Sequence, residues 1–338
     1  MRQPSGPRSN PSPRVSIGVP TINRPAFFRE ALASLSSQTS SDFEIVVADN
    51  SGETGLQRQI DAIMAEFPHL RFVLVRQPVR VDMASNFNSL IEAARGEFWS
   101  CLPDDDRYCP GFIQQSVASL DRHPECDFTF SDHWIIRDDG TIDETCSVDN
   151  SVHYGRPSLR EGVYRHDRLF QIALSQSMCL QTMVFRRPMI AALKFVPGIF
   201  TLDDCLFLRL ASGTTAFNGY YLDQRLMEYR LHPAQFSSTA QRADFLRAEI
   251  AALESVIQIP ARHRSEYNRK LGRRYMALAL LEAEQGNSTA RVWANAIRGL
   301  ALSPGFRSAL GALLAMVTPR AIPFLRRLAA PFRSDRLG

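Results

Sequence analysis

The stretch Phe98-Trp99-Ser100-Cys101-Leu102-Pro103-Asp104-Asp105-Asp106 sets a short apolar run directly against three consecutive carboxylates. Such a run reads as a buried strand, so the acids emerge at its C-terminal end, where open α/β sheets place their ligand crevices. Carboxylates there suit a hard divalent cation, and the cation in turn suits a diphosphate. The plainer reading is an acidic surface turn capping the helix that follows Pro110.

Working outward, apolar runs alternate with helical patterns from Val15 to about Arg137. Strands are expected at Val15–Val19, Phe43–Ala48, Leu70–Val75, Phe98–Leu102 and Asp127–Arg137. Helices are expected at Pro25–Gln38, Gly55–Phe67, Ala84–Ala94 and Pro110–Arg122. This alternation predicts an α/β fold with a mainly parallel central sheet covered on both faces. Ile142 to Arg165 is polar and irregular and reads as a loop or flap over the site. Ser175–Phe185 and Thr214–Asp223 read as strand-like, with a helix opening near Asp203. After Gln241 nearly everything is helical: Asp244–Ile257, Ala261–Gln285 and Ser288–Leu300. The expected division is a disordered tail over residues 1–13, a catalytic domain over 14–240 and a C-terminal helical extension over 241–338.

The 338 residues are 45% hydrophobic and 22% charged, enough for a sizeable core plus an appendage. The net charge of +4 is modest and no basic stripe is interleaved with aromatics, which argues against nucleic acid. Cys101, Cys109, Cys126, Cys146, Cys179 and Cys205 show no zinc-type spacing and read as reduced thiols of a cytoplasmic protein. The segment Met1–Pro13 lacks the apolar region of an ordinary secretory signal. Ala309–Val317 is far shorter than the roughly 20 residues that span a bilayer.

Four segments carry the chemistry in order: Val19-Pro20-Thr21-Ile22-Asn23-Arg24-Pro25, Ala48-Asp49-Asn50-Ser51, the Asp104-Asp105-Asp106 run, and Leu202-Asp203-Asp204-Cys205. With Tyr229-Arg230-Leu231-His232-Pro233 as a fifth, this order resembles the inverting family-2 glycosyltransferases of the GT-A fold, bacterial polysaccharide type, over roughly Val15 to Ser238. The resemblance implies transfer of a sugar from a nucleotide-diphospho-sugar donor to a hydroxyl of a glycan or lipid-linked glycan, with Mn²⁺ or Mg²⁺ as divalent cation. Pro20, Thr21, Asn23 and Arg24 match a loop bordering the nucleotide, with Ile22 where the family usually has Tyr. Asp49 matches the acid that recognises the base or ribose, a task suited to a charged acceptor; an ordinary strand-to-turn Asp is the alternative. Arg80 and Asn86 fall where the family often approaches the donor.

Asp105 matches the metal-coordinating acid of the family's Asp-x-Asp element, whose first acid is here Pro103. Asp104 and Asp106 would then contact sugar and ribose or support the metal from behind. Asp203-Asp204 matches the family's Glu-Asp pair, with Asp204 as catalytic base and Asp203 as helix cap or sugar contact. Arg230 and His232 match the loop across the diphosphate, Arg230 as a phosphate fork and His232 as a metal ligand. His123, His133, His153, His166 and His263 receive no functional assignment.

Two rivals stand beside this reading. A nucleotidyltransferase would need a Gly-rich phosphate loop with a basic residue after the first strand, and Val19-Pro20-Thr21 is not one. A non-catalytic nucleotide-sugar or glycan-binding protein of the same fold would account for Pro103, but not for Asp105, Asp204 and His232 together. In the tail, Leu310, Leu313, Leu314, Val317, Phe324 and Leu325 alternate with Arg320, Arg326 and Arg327. Such helices either pack on the catalytic domain or a homodimer partner, or lie at the inner face of the cell membrane as a peripheral contact. Pro319 and Pro323 break any long stripe and favour packing.

Overall fold

The computed structural model describes residues 12–195, 216–233, 242–254, 259, 261–305 and 312. Strand β1, Val15–Thr21, is buried along its whole length, as a strand covered on both faces must be. It is followed by α1, Pro25–Ser36, which starts on a proline needing no N–H partner and buries Phe28, Ala31, Leu32 and Leu35. Then come β2 (Phe43–Asp49), α2 (Thr54–Ala65) and β3 (Phe72–Arg76). Helix α3, Met83–Ala93, is capped by Asp82, whose side chain accepts from Ser85 N. Strand β4 is Phe98–Cys101, β5 is Arg107–Tyr108, α4 is Phe112–Arg122 and β6 is Phe128–Ile136. Apart from β5, which has no expected counterpart, these boundaries match the expected ones to within a few residues.

The segment expected to be a flap is instead ordered. It forms α5, Glu144–His153, and a short strand β7, Gly162–Tyr164, then α6, His166–Leu174. Helix α5 is too polar to show a helical stripe. Side chains hold it: Asp143 caps it through Cys146 N at 2.8 Å, and Ser147 Oγ accepts from Ile135 N at 2.8 Å and donates to the Asp143 carbonyl at 2.7 Å. Of the strand-like stretch Ser175–Phe185, only its end belongs to β8, Val184–Arg186; Leu180–Thr182 is a 3₁₀ turn. Helix α7, Arg187–Leu193, follows, and β9 spans Gly219–Arg230.

Among the described residues the nine strands form one sheet, ordered β3-β2-β1-β4-β8-β6-β9-β5, with β7 beside β9. Strands β3, β2, β1 and β4 are parallel. Strand β8 is antiparallel to both β4 and β6, and β6 is parallel to β9. Strands β1, β2, β4, β6 and β9 therefore all end at the same edge. One core lies on each face: Val19, Phe28, Ile45 and Phe112 on one, Trp99, Phe130, Phe185 and Ile190 on the other.

The C-terminal helices are α8 (Arg242–Glu254), α9 (Arg264–Glu284) and α10 (Thr289–Leu302). Among the described residues no helix is long and apolar enough to cross a membrane. Helices α9 and α10 touch where Gly272 faces Gly299. A Cβ on Gly272 would lie 2.8 Å from the Gly299 carbonyl oxygen and 2.7 Å from Ser303 Cβ. Alanine is a better helix former by about 1 kcal/mol, yet overpacking costs about 1–3 kcal/mol, so the clash should win. We expect Gly272→Ala to lower the urea or thermal midpoint; an unchanged or raised midpoint would mean that the helices separate freely.

Candidate active site

The sheet order diverges on either side of the β1–β4 pair, and a crevice opens at their C-terminal ends. The acids after β4 enter it on a turn closed by Asp106 N donating to the Pro103 carbonyl at 3.1 Å. Successive side chains of a turn point in different directions. Asp104 faces β1, accepting from Thr21 Oγ1 at 2.8 Å and Ile22 N at 3.2 Å and pairing with Arg24 Nη2 at 2.6 Å. Asp106 faces β9 and accepts from the backbone N of Arg230 at 2.9 Å. Asp105 stands between them, its Oδ2 contacting Arg24 Nη1 and lying 3.1 Å from His232 Nε2.

The three acids differ in charge state. Burial, with Asp105 close by and Arg24 opposing, raises Asp104 to about 7. Burial and the Asp105 charge push Asp106 well above the usual carboxylate range. Burial pushes Asp105 up as well, but the His232 hydrogen bond and the Arg24 charge outweigh it and hold Asp105 below that range. Asp105 is therefore the most readily ionised of the three.

Arg230 is 1% exposed and held on every side. Its Nε donates to the Asp105 carbonyl at 2.8 Å, Nη1 to the Asp138 carbonyl at 2.9 Å and Nη2 to Glu30 Oε2 at 2.5 Å, and the guanidinium lies over the Phe27 ring. Its side chain is fully enclosed, and in this arrangement Arg230 braces the acid turn. Glu30, its partner on α1, carried no signal in the sequence beyond being an acid on a helix.

On the other side of β1, Asp49 ends β2 fully buried. Its Oδ1 accepts from Ser51 N at 3.0 Å, while Oδ2 lies 3.7 Å from Arg76 Nε and has no hydrogen-bond partner among the described residues. Ser51 Oγ is likewise buried and unpaired among them. Unfilled buried polar atoms at a crevice call for a ligand or water. The sequence reading missed Asn50, whose Nδ2 donates to the Val81 carbonyl and whose Oδ1 accepts from Val81 N, both at 2.9 Å. This clamp holds the loop carrying exposed Arg80 across the end of β2. Pro20 is buried in β1, Asn23 is exposed with φ +53°, and Asn86 is buried on α3 with its Oδ1 3.4 Å from Gln77 Nε2.

Asp203 and Asp204 lie outside the described residues. Among the described residues no three His, Cys, Asp or Glu side chains converge as a metal cage. Asp105 Oδ2 and His232 Nε2 form an oxygen–nitrogen pair that fits a divalent cation completed by substrate oxygens, as hard cations bound through phosphates need few protein ligands.

Residues 16–183 match the sequence profile of the family described as Glycosyl transferase family 2. That segment, just under half of the chain, is similar to that family. The chain is 31% identical over 131 residues to an uncharacterized protein of Mycobacterium tuberculosis, the match covering 38% of each chain. It is 28% identical over 101 residues to the GalNAc(5)-diNAcBac-PP-undecaprenol beta-1,3-glucosyltransferase of Campylobacter jejuni, covering 30% of this chain and 32% of that one. The matches thus span little more than a third of the length of these curated relatives. In fold, it resembles S. aureus TarS 1-349 in complex with UDP-GlcNAc, with TM-score 0.63, 14% identity and 94% and 92% of the two chains covered. It also resembles the mannosyltransferase PcManGT from Pyrobaculum calidifontis in complex with GDP-Man and Mn²⁺, with TM-score 0.56, 16% identity and 94% and 87% covered. The shared architecture is the GT-A fold.

The crevice has a second wall, on the β8 side. Ser100 Oγ donates to the Met183 carbonyl at 2.7 Å, tying the segment before β8 to the end of β4. Buried Arg156 donates to the Ser177 carbonyl at 2.9 Å, Asn150 Oδ1 at 2.6 Å and Asp132 Oδ1 at 3.2 Å, fastening that segment to α5 and β6. Beside it, burial and the Arg156 charge lower the His133 pKa from 6.5 to about 3. The folded state thus keeps His133 neutral where the unfolded chain protonates it. The stability this gives is complete above pH 6.5 and is lost as pH falls toward 3, by up to about 1.4 kcal/mol per pH unit. We expect His133→Gln to flatten the fall of the urea midpoint between about pH 6 and 4. Parallel wild-type and variant profiles would mean that His133 titrates normally.

Proposed function

We propose that this protein is a cation-dependent, inverting glycosyltransferase that moves a sugar from a nucleotide-diphospho-sugar to a hydroxyl of a glycan or lipid-linked glycan. The observation that carries this reading is the meeting of Asp105 and His232, 127 positions apart, at 3.1 Å in the crevice at the strand ends. Asp49, with its unfilled Oδ2, and Ser51 would receive the base or ribose; Thr21, Asn23, Arg24 and Arg80 border the nucleotide. Asp105 and His232 would hold Mn²⁺ or Mg²⁺, and such a cation supplies charge stabilisation to a departing nucleoside diphosphate. Asp104 and Asp106 keep the Asp105 turn in place through β1 and β9, and Arg230 braces it from behind.

Asp204 is proposed as general base, taking the proton of the acceptor hydroxyl as its oxygen attacks the anomeric carbon opposite the leaving group, with Asp203 as cap or sugar contact. The donor complexes named for the two structural relatives, UDP-GlcNAc and GDP-Man, support a nucleotide-sugar donor. The undecaprenol-linked substrate in the name of the Campylobacter jejuni relative supports a lipid-linked acceptor in bacterial polysaccharide synthesis at the cytoplasmic face of the membrane. We assign catalysis to residues 14–240 and propose that the helical extension over 241–338 packs on that domain, on a second copy or at the membrane surface.

Asp204→Asn keeps the shape of the side chain but cannot accept a proton. We expect roughly 10²–10⁴-fold slower transfer with donor affinity nearly unchanged, read by turnover and calorimetry with a panel of nucleotide-sugars; wild-type turnover would place the base elsewhere. For Asp105→Ala, nucleotide-diphosphate affinity should lose its dependence on Mn²⁺. Equal affinity of variant and wild type at saturating Mn²⁺ would remove Asp105 from the cation site.

A further inference from the structure

We propose that Arg24 is the resident counter-charge of the acid cluster and must leave Asp105 for the cation to enter, so that one side chain couples cation binding to nucleotide binding. This rests on the functional reading above and concerns how the same site is loaded.

The Arg24 guanidinium forks across two acids, Nη1 on Asp105 Oδ2 and Nη2 2.6 Å from Asp104 Oδ1. The same Asp105 oxygen faces His232 Nε2, and Arg24 Nη1 lies 3.4 Å from that nitrogen. Arg24 thus stands where a cation shared by Asp105 and His232 would sit. Guanidinium does not deprotonate in proteins, so the two positive charges exclude each other at this oxygen.

Of the two arginines in the cluster, Arg24 is the less enclosed. Its side chain is 26% exposed, where that of Arg230 is fully enclosed, and its buried Nε has no acceptor among the described residues. It follows Asn23, whose left-handed backbone at φ +53° puts Arg24 on the loop before α1 rather than inside an element. A diphosphate offers the guanidinium another bidentate partner, with more oxygens than Asp105 provides. With nucleotide bound, Arg24 transfers to the phosphates and the cation takes its place. Without nucleotide, a cation must displace Arg24 unaided. By linkage, each ligand strengthens the other by the same factor.

The test uses the full chain, Mn²⁺ binding followed by electron paramagnetic resonance of the free ion, and UDP or GDP binding by calorimetry with Mn²⁺ or with chelator. Wild type should bind Mn²⁺ weakly alone and roughly tenfold or more tightly with UDP or GDP. In Arg24→Gln, Mn²⁺ alone should bind more tightly than in wild type, and the enhancement by nucleotide should fall severalfold. Arg24→Lys keeps the charge without the two-carboxylate fork, and its coupling should also fall; it serves if the Gln variant does not fold. Wild-type Mn²⁺ affinity with undiminished coupling in the variants would overturn the role of Arg24 and leave the functional reading standing. Absence of UDP and GDP binding to wild type would overturn both.

Discussion

Three adjacent carboxylates in a buried crevice would repel one another and lose their hydration, and the site is organised around preventing that. The turn from Pro103 to Asp106 separates them by direction. Asp104 is absorbed into the β1–α1 loop through Thr21, Ile22 N and Arg24, and Asp106 into the end of β9 through Arg230 N. The acids thereby stitch three segments into one wall. Burial disfavours the charged forms of Asp104 and Asp106, so Asp105, which has both Arg24 and His232 as partners, ionises most readily.

Strand direction explains why residues so far apart in sequence meet. Strand β8 reverses direction between β4 and β6, and β6 runs parallel to β9, so β9 ends at the same edge as β1, β2 and β4. Arg230 and His232 therefore arrive beside the acids with no long excursion of the chain. Had β8 been parallel to β4 and antiparallel to β6, β9 would have delivered them to the opposite edge.

Much of this was legible in the sequence. Strands β1, β2 and β4 are continuous apolar runs because both faces are covered, and α1 and α4 carry apolar stripes at helical spacing. Helix α5 was not legible, since hydrogen bonds from Asp143 and Ser147, rather than an apolar face, hold it to β6. Strand β8 has three residues, too few for a period to show. In the site, residue types gave the acids, Arg24 and His232, but not Glu30 or the Asn50 clamp, whose partners are set by tertiary contacts. Arg230 read as a phosphate fork because an Arg in a loop looks available; its enclosure by Asp105, Asp138 and Glu30 appears only in three dimensions.

The two arginines of the cluster show how one charge type serves opposite ends. Arg230 bonds three backbone carbonyls and Glu30 and stacks on Phe27, contacts that persist whatever the charge state of Asp105. Among the described residues the Arg24 side chain bonds Asp104 and Asp105 and lies 3.4 Å from His232 Nε2, all groups of the site itself. A brace must be indifferent to the ligand, whereas a counter-charge must be sensitive to it. Pro103 fits the same logic. A carboxylate at that position would add a further negative charge to a turn whose Asp104 and Asp106 already resist ionisation. Proline adds none, and its ring restricts the backbone of the turn that separates the three acids.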